Sequence, residues 1–382
     1  MSLKNFSIAG VVSAAVTALG CGCSGNAASP ALPGTAPLTS GSSQSVSTTI
    51  APSATLDSTA RRGVATGYVF FRPQGAWARA VPAHPPIAPQ SQSWLDHIFS
   101  SGYDMGRLQF EQNSNGGNGD GNTPVYYATS SDPTYTLHCT MYSNCPEEGQ
   151  HVHIPTGARP SDGGDHHMAV VNFSANREDD FWLATKPSGN GGTLDIGYGG
   201  HGALDGDGTN FKATASGVAL TAGLLRESDL MAGFIPHALY ITSSCTSNKY
   251  VYPAVASDDN NPNFPPQGTR LYLDLTAQQI GALAVPQWTK TYLMAWHTYG
   301  GIISDHGGNN FSLMPEHDYT SSLFGGGSPW LDFAKFVQND PASKNVWAWP
   351  YNNVYHINFP SGNIDLRSHL KVLMPCVNTG AC

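Results

Sequence analysis

Charge is scarce in this chain. Asp, Glu, Lys and Arg make up 12% of its 382 residues, with 18 basic against 27 acidic side chains and a net charge of -9. That balance counts against nucleic acid as a partner, because phosphates are held chiefly by clustered Lys and Arg. Glutamate is rarer still, at six residues. Beyond the N-terminal region no run approaches the ~20 apolar residues of a spanning helix, so any further membrane contact would have to come through a covalent lipid. Several signatures are also missing: a Gly-x-Ser-x-Gly elbow, a His-Glu-x-x-His helix, a P-loop and a dinucleotide fingerprint. Their absence counts against serine esterases, zincin proteases and nucleotide enzymes. No histidine stands at zinc-finger spacing from a cysteine, so a structural zinc finger is not expected.

Turn formers and aromatics are what the chain has in quantity: Gly 42, Pro 27, Tyr 16 and Trp 8. Few charges and many turns point to short strands rather than a helical bundle. The N-terminus reads as an export signal over residues 1–23, with a basic start to Lys4, an apolar stretch from Phe6 to Leu19 and small residues after it,. Leu19-Gly20-Cys21 has the form of a lipobox, in which Cys21 is acylated; the alternative is cleavage near Ala27-Ala28 and free release. Residues 24–62 are rich in Ser, Thr, Pro and Ala without apolar periodicity, the composition of a disordered tether,. One β-rich domain is expected over 63–382. Cys139 and Cys145 share a spacing with Cys376 and Cys382, which suggests two local disulfides and leaves Cys23 and Cys245 paired or free,.

Strand signals fall at 64–71, 124–128, 135–141, 151–154, 167–173, 180–185, 193–199, 237–242, 249–253, 269–275 and 301–304, each short and bounded by Gly, Pro, Asn or Asp,. Helices are expected at 91–99, 214–225, 226–233, 276–283 and 287–299; in the last, Trp288, Tyr292, Ala295, Trp296 and Tyr299 recur at spacings of three and four,. Strands and helices do not alternate regularly, which disfavours a parallel βαβ sheet. The expectation is a mainly β fold, an antiparallel β-sandwich of jelly-roll type with a few short helices.

Six stretches carry candidate chemistry. Asp165-His166-His167-Met168 feeds a Gly-Gly loop onto an apolar strand; adjacent histidines there point to opposite faces, and His167 is either a proton carrier or a hydrogen-bonded core residue. Asp180-Phe181-Trp182 sets Asp180 and Trp182 on one strand face, an acid beside an aromatic platform of the kind sugar rings stack on. Asp205-Gly206-Asp207 offers oxygen ligands of the calcium kind without the spacing or glutamate of an EF-hand. His237 follows Pro236 at a strand edge, and Asp305-His306 sits in a turn after a buried strand. Arg270, on a strand with Tyr272, is placed to bind a carboxylate or to pair with a local acid.

Taken in order, these stretches resemble a widespread group of secreted bacterial proteins. The shared motifs read here as Asp165-His166-His167-Met168, Asp180-Phe181-Trp182, Gly199-Gly200…Asp205-Gly206, Gly223-Leu224-Leu225-Arg226…His237-Ala238-Leu239, Val251-Tyr252-Pro253-Ala254, Pro266-Gln267-Gly268-Thr269-Arg270 and Tyr299-Gly300…Asp305-His306-Gly307-Gly308. The resemblance implies positions and no reaction. His166 falls where the group often carries Arg, which lowers it as a candidate.

The expected role is a secreted or surface-anchored enzyme that cleaves a polysaccharide. His167, Asp180, His237 and Asp305 would be catalytic, and Trp182, Arg270 and Tyr252 would bind substrate. As a hydrolase it would use Asp180 and Asp305 as the carboxylate pair; as a lyase Arg270 would neutralise a uronate. Calcium at Asp205 and Asp207 is the one cofactor considered, and none is required. The partner would be a polysaccharide or envelope glycan. The alternative is a non-catalytic glycan-binding or structural envelope lipoprotein. Lipidation has a direct consequence: radiolabelled palmitate should be incorporated into the wild type and lost in Cys21→Ser, and equal labelling of both would exclude the lipobox.

Overall fold

Alternation of side chains along four short strands assigns the layers in a computed structural model that describes residues 64, 66–72, 75–100, 107–111, 122–307, 311–344, 348–351, 354–358 and 365–382. The export signal, the tether and most of the Asn113–Asn122 loop lie outside the described residues. A central sheet orders its strands as β2 (Val125–Tyr127), β5 (Met168–Asn172), β6 (Arg177–Trp182) and β8 (Tyr198–Ala203). Tyr126, Met168, Val170 and Phe181 face one way and pack on a three-stranded sheet of β4 (His151–His153), β3 (Thr134–Cys139) and β7 (Gly192–Ile196). Val125, Tyr127, Ala169 and Val171 face the other way, toward Tyr240 and Ile302.

Those last two residues belong to a five-stranded sheet ordered β12 (Ser312–Leu313), β9 (Leu239–Thr242), β11 (Gly301–Asp305), β10 (Arg270–Leu273) and β15 (Leu370–Val372). Its opposite face carries Leu239, Ile241, Leu271, Leu273 and Ile303, which are covered by helices. The covering helices are α1 (Ser91–Ile98), α3 (Ala277–Ala282), α4 (Gln287–Thr298) and α6 (Pro329–Asn339), joined by Leu230 of α2 (Glu227–Ala232). The layers therefore run helices, five-stranded sheet, four-stranded sheet, three-stranded sheet. A further sheet of β1 (Arg107–Glu111), β14 (Val354–Asn358) and β13 (Ala348–Tyr351), and the short helices α5 (Asp318–Leu323) and α7 (Cys376–Thr379), complete the elements.

The expected antiparallel arrangement needs correction, because the sheets are mixed. β2 pairs with β5, β3 with β7 and β9 with β11 in parallel. Alternation reports which side chains share a face, and it is silent on strand direction; β9 and β11 run parallel because the long connection between them passes through β10, α3 and α4,. Helix is more extensive than expected, since α5 and α6 were not anticipated. The described residues of 64–71 form no strand, and 249–253 contribute a single bridge, Tyr250 to Gln267. The expected strand at 193–199 is split at Gly197 between β7 and β8, which belong to different sheets.

Other expectations hold. α1, α2, α3 and α4 appear where the periodicity puts them, and Thr276 with Gln279 forms a full capping box at the start of α3,. Both local disulfides form, Cys139–Cys145 and Cys376–Cys382, as suits an oxidising compartment,. Cys245 keeps a buried thiol, 3.7 Å from the His97 carbonyl. Among the described residues no helix is long and apolar enough to cross a membrane. Phe181, 0% exposed between the four- and three-stranded sheets, tests the layering: Phe181→Ala should cost about 3–5 kcal/mol, read as a lower denaturant midpoint.

Candidate functional site

Residues 211–221 run between the four- and five-stranded sheets as an irregular segment, although their small apolar composition suggested a helix. Acidic side chains from both sheets explain the difference. The Ala215 amide donates to Asp305 Oδ1 at 2.9 Å, the Leu220 amide to Asp180 Oδ2 at 2.7 Å and the Thr221 amide to Glu178 Oε1 at 3.2 Å. His167 Nε2 meets the Ala213 carbonyl at 3.1 Å, and the Ser216 hydroxyl donates to the Ser304 carbonyl. Amides bound to carboxyl groups are withdrawn from an intrahelical ladder. Gly200 lets the segment pass beneath β8, since a side chain there would collide with the Phe211 carbonyl.

Three expected site residues thus converge on one segment: His167, Asp180 and Asp305. Asp180 and Glu178 share a strand face and are both 0% exposed. Burial raises both carboxyls, and the charge of Glu178 drives Asp180 further up, so Asp180 holds the proton,. Burial likewise lowers the His167 imidazole, with Asp165 partly opposing, which keeps it neutral. Tyr240, 1% exposed on β9, lies close enough to Asp305, Asp180 and Asp165 for all three charges to act on its hydroxyl.

Asp305 ends β11, where the register against β9 shifts between Ile303 and Asp305. Such a bulge re-aims a side chain at the end of a strand. Asp305 Oδ1 accepts both the Ala215 and the His306 amides at 2.9 Å, which leaves Oδ2 to carry a proton. Burial, together with the negative charges of Asp165 and Asp258, pushes the carboxyl up to about 8. Around it the surface is open: Asp165, His166, Asp258 and His306 are exposed. His306 faces Asp259 at 3.5 Å and Asp258 at 3.8 Å. The half-buried Trp182 donates its indole N–H to Asp165 Oδ1 at 3.0 Å. His166, Leu183 and Lys212 hold positive φ of 44°, 52° and 64° here, a cost of about 1–3 kcal/mol each that is concentrated at functional surfaces.

The remaining candidates lie elsewhere. His237 lies two residues before β9, about 16 Å of extended chain from the Thr242 end that pairs with Asp305,. It is buried near Arg226 and Glu316 beside a pocket of about one water's size,. Burial, helped by Arg226, lowers it to about 4. Arg270 is 1% exposed and donates to the Ala76 and Arg79 carbonyls, and burial with Arg79 lowers it to about 9. Tyr252 is half-buried and its hydroxyl meets the Ala76 backbone. Asp205 accepts from Asn176 Nδ2 at 2.8 Å and Asp207 from the Thr209 hydroxyl at 2.7 Å, so these acids brace turns.

Two groups escaped the sequence reading. Glu178 was legible, since it shares a face with Asp180 on a strand. The set Glu147, Asp179 and His201, whose donor atoms all lie within 4.8 Å of one another, joins residues far apart in sequence and left no signal.

The raised Asp305 carboxyl sets a sign for stability. The folded form holds a proton that the unfolded form loses near pH 4, so its contribution is full at low pH and fades as pH rises toward 8,. Guanidinium unfolding at pH 5 and pH 8 should show Asp305→Asn narrowing the wild-type loss by a few kcal/mol; an equal loss in both proteins would place Asp305 in solvent. In comparisons with protein-family models, with curated proteins and with solved structures, nothing matches this chain.

Proposed function

We propose that this protein is a glycan-active enzyme that cleaves a polysaccharide by acid–base chemistry at the surface where β11 ends. The observation that carries this reading is the placement of Asp305, a buried carboxyl that ends β11 beside the exposed carboxylates of Asp165 and Asp258; burial pushes it up to about 8. An acid that keeps its proton at neutral pH is suited to protonate a glycosidic oxygen, while a second carboxyl group activates water or attacks the sugar. Asp165 is that second group, because it is exposed and close enough to act on the charge of Asp305. Asp180, expected in this role, lies between the sheets with its carboxyl on Leu220. The Trp182 indole beside Asp165 offers an apolar ring for the C–H face of a sugar,.

Hydrolysis fits better than elimination. A lyase needs a cation on the uronate carboxylate, and the Arg270 guanidinium is directed at backbone carbonyls. The export signal and tether would present the domain at the cell envelope. A second reading, glycan binding without catalysis, is favoured by one observation: the hydrogen bonds of His167, Asp180 and Asp305 go to the chain's own backbone.

The test is release of reducing ends from a panel of neutral and acidic polysaccharides, with ultraviolet absorbance followed for unsaturated uronates. New ends without absorbance are expected, with activity falling above about pH 8 as Asp305 loses its proton. Asp305→Asn and Asp165→Asn should each lower the rate by about 10²-fold or more in protein that circular dichroism shows to be folded at the assay pH. Binding without new ends on any glycan would decide for the second reading. Full activity in Asp305→Asn would remove its acid role.

A further inference from the structure

On the face of β6 opposite Glu178 and Asp180, a second polar cluster lies away from the Asp305 surface. His201 of β8 pairs directly with Asp179 of β6, so register alone sets these side chains next to each other. Glu147 lies two residues after Cys145 of the Cys139–Cys145 disulfide. His201 Nδ1 stands 2.7 Å from Glu147 Oε1, and the donor atoms of all three residues lie within 4.8 Å of one another. Glu147 is 0% exposed and its Oε2 has no hydrogen-bond partner. The nearest cation, Arg177 Nη2, is 3.6 Å from that oxygen, too far for a hydrogen bond. A fully buried carboxylate oxygen that lies among nitrogen and oxygen donors and makes no hydrogen bond is an unmet demand for a polar partner,.

We propose that Glu147, Asp179 and His201 bind a divalent transition-metal ion, zinc by donor chemistry. An imidazole nitrogen with two carboxylates suits zinc better than calcium, which takes six to eight oxygens. Three protein ligands leave a fourth position toward solvent, which reaches the cluster through His201, whose side chain is 33% exposed,. Tetrahedral zinc at about 2.0–2.1 Å holds its ligand atoms about 3.3 Å apart. His201 and Glu147 must therefore separate slightly from their present contact, and Nδ1 binds as the neutral nitrogen, any proton on it passing to solvent. Arg177 is the competing cation: it pairs with Asp179 at 2.5 Å, and its side chain is 28% exposed, with room to swing outward. This site is independent of the acid–base reading at Asp305.

The exported protein, stripped with EDTA, is titrated with zinc chloride by calorimetry, and its unfolding midpoint is followed with and without zinc. One zinc per chain, with a raised midpoint, is expected. Glu147→Gln and His201→Ala should each weaken binding by roughly tenfold or more. Arg177→Met should tighten it, a gain that misfolding does not produce. The proposal falls if zinc gives neither heat nor a midpoint shift. It falls equally if binding survives both ligand variants, as it would on the half-exposed or exposed histidines of β4, His151 and His153, or if Arg177→Met weakens it.

Discussion

Burying a peptide segment that is neither helix nor strand demands a polar partner for its amides, because each one left unmatched costs about 1–3 kcal/mol. That demand organises the seam between the two larger sheets. Residues 211–221 meet it with carboxyls supplied from both sides, Glu178 and Asp180 from β6 and Asp305 from β11. The acids are therefore a condition for the two sheets to be packed with this segment between them. Their own burial is tolerable because a protonated carboxyl avoids most of the penalty of a buried charge.

The same arrangement links stability to the proposed chemistry. The groups that secure the segment are also those whose protonation the interior alters, and Asp305 alone among them ends its strand beside open surface. Burial, reinforced by acidic neighbours at the rim, makes it an acid rather than an anion at neutral pH, against the opposing pull of two backbone amides on one carboxyl oxygen. On β6, three consecutive acids are divided by pleating between two environments. Glu178 and Asp180 enter the seam, while Asp179 joins Arg177, Glu147 and His201 on the other face.

Much of this was legible locally. The amphipathic spacing of α4, the capping box of α3 and the alternation of β5 depend on residues within a few positions of each other, and these elements formed where expected. The failures share a cause. The segment 214–225 reads as helical by composition, yet its amides are claimed by acids up to 90 residues distant in sequence. Strand direction in the mixed sheets is likewise a property of the path between strands, which no short window contains. At the candidate site, His167, Asp180 and Asp305 meet one backbone segment while His237 lies apart, and which of them touches solvent depends on which sheet covers which face.

The sequence by itself determined the element types with strong local periodicity, the two short-range disulfides and the shortage of basic charge, because each depends on neighbours in the chain or on composition alone. Only the tertiary structure decided that Asp180 is enclosed while Asp305 reaches a rim, that Arg270 turns to the carbonyls of Ala76 and Arg79, and that Glu147 meets Asp179 and His201. Those outcomes rest on burial and on pairings between distant residues, and burial is what moves a carboxyl from charged to protonated.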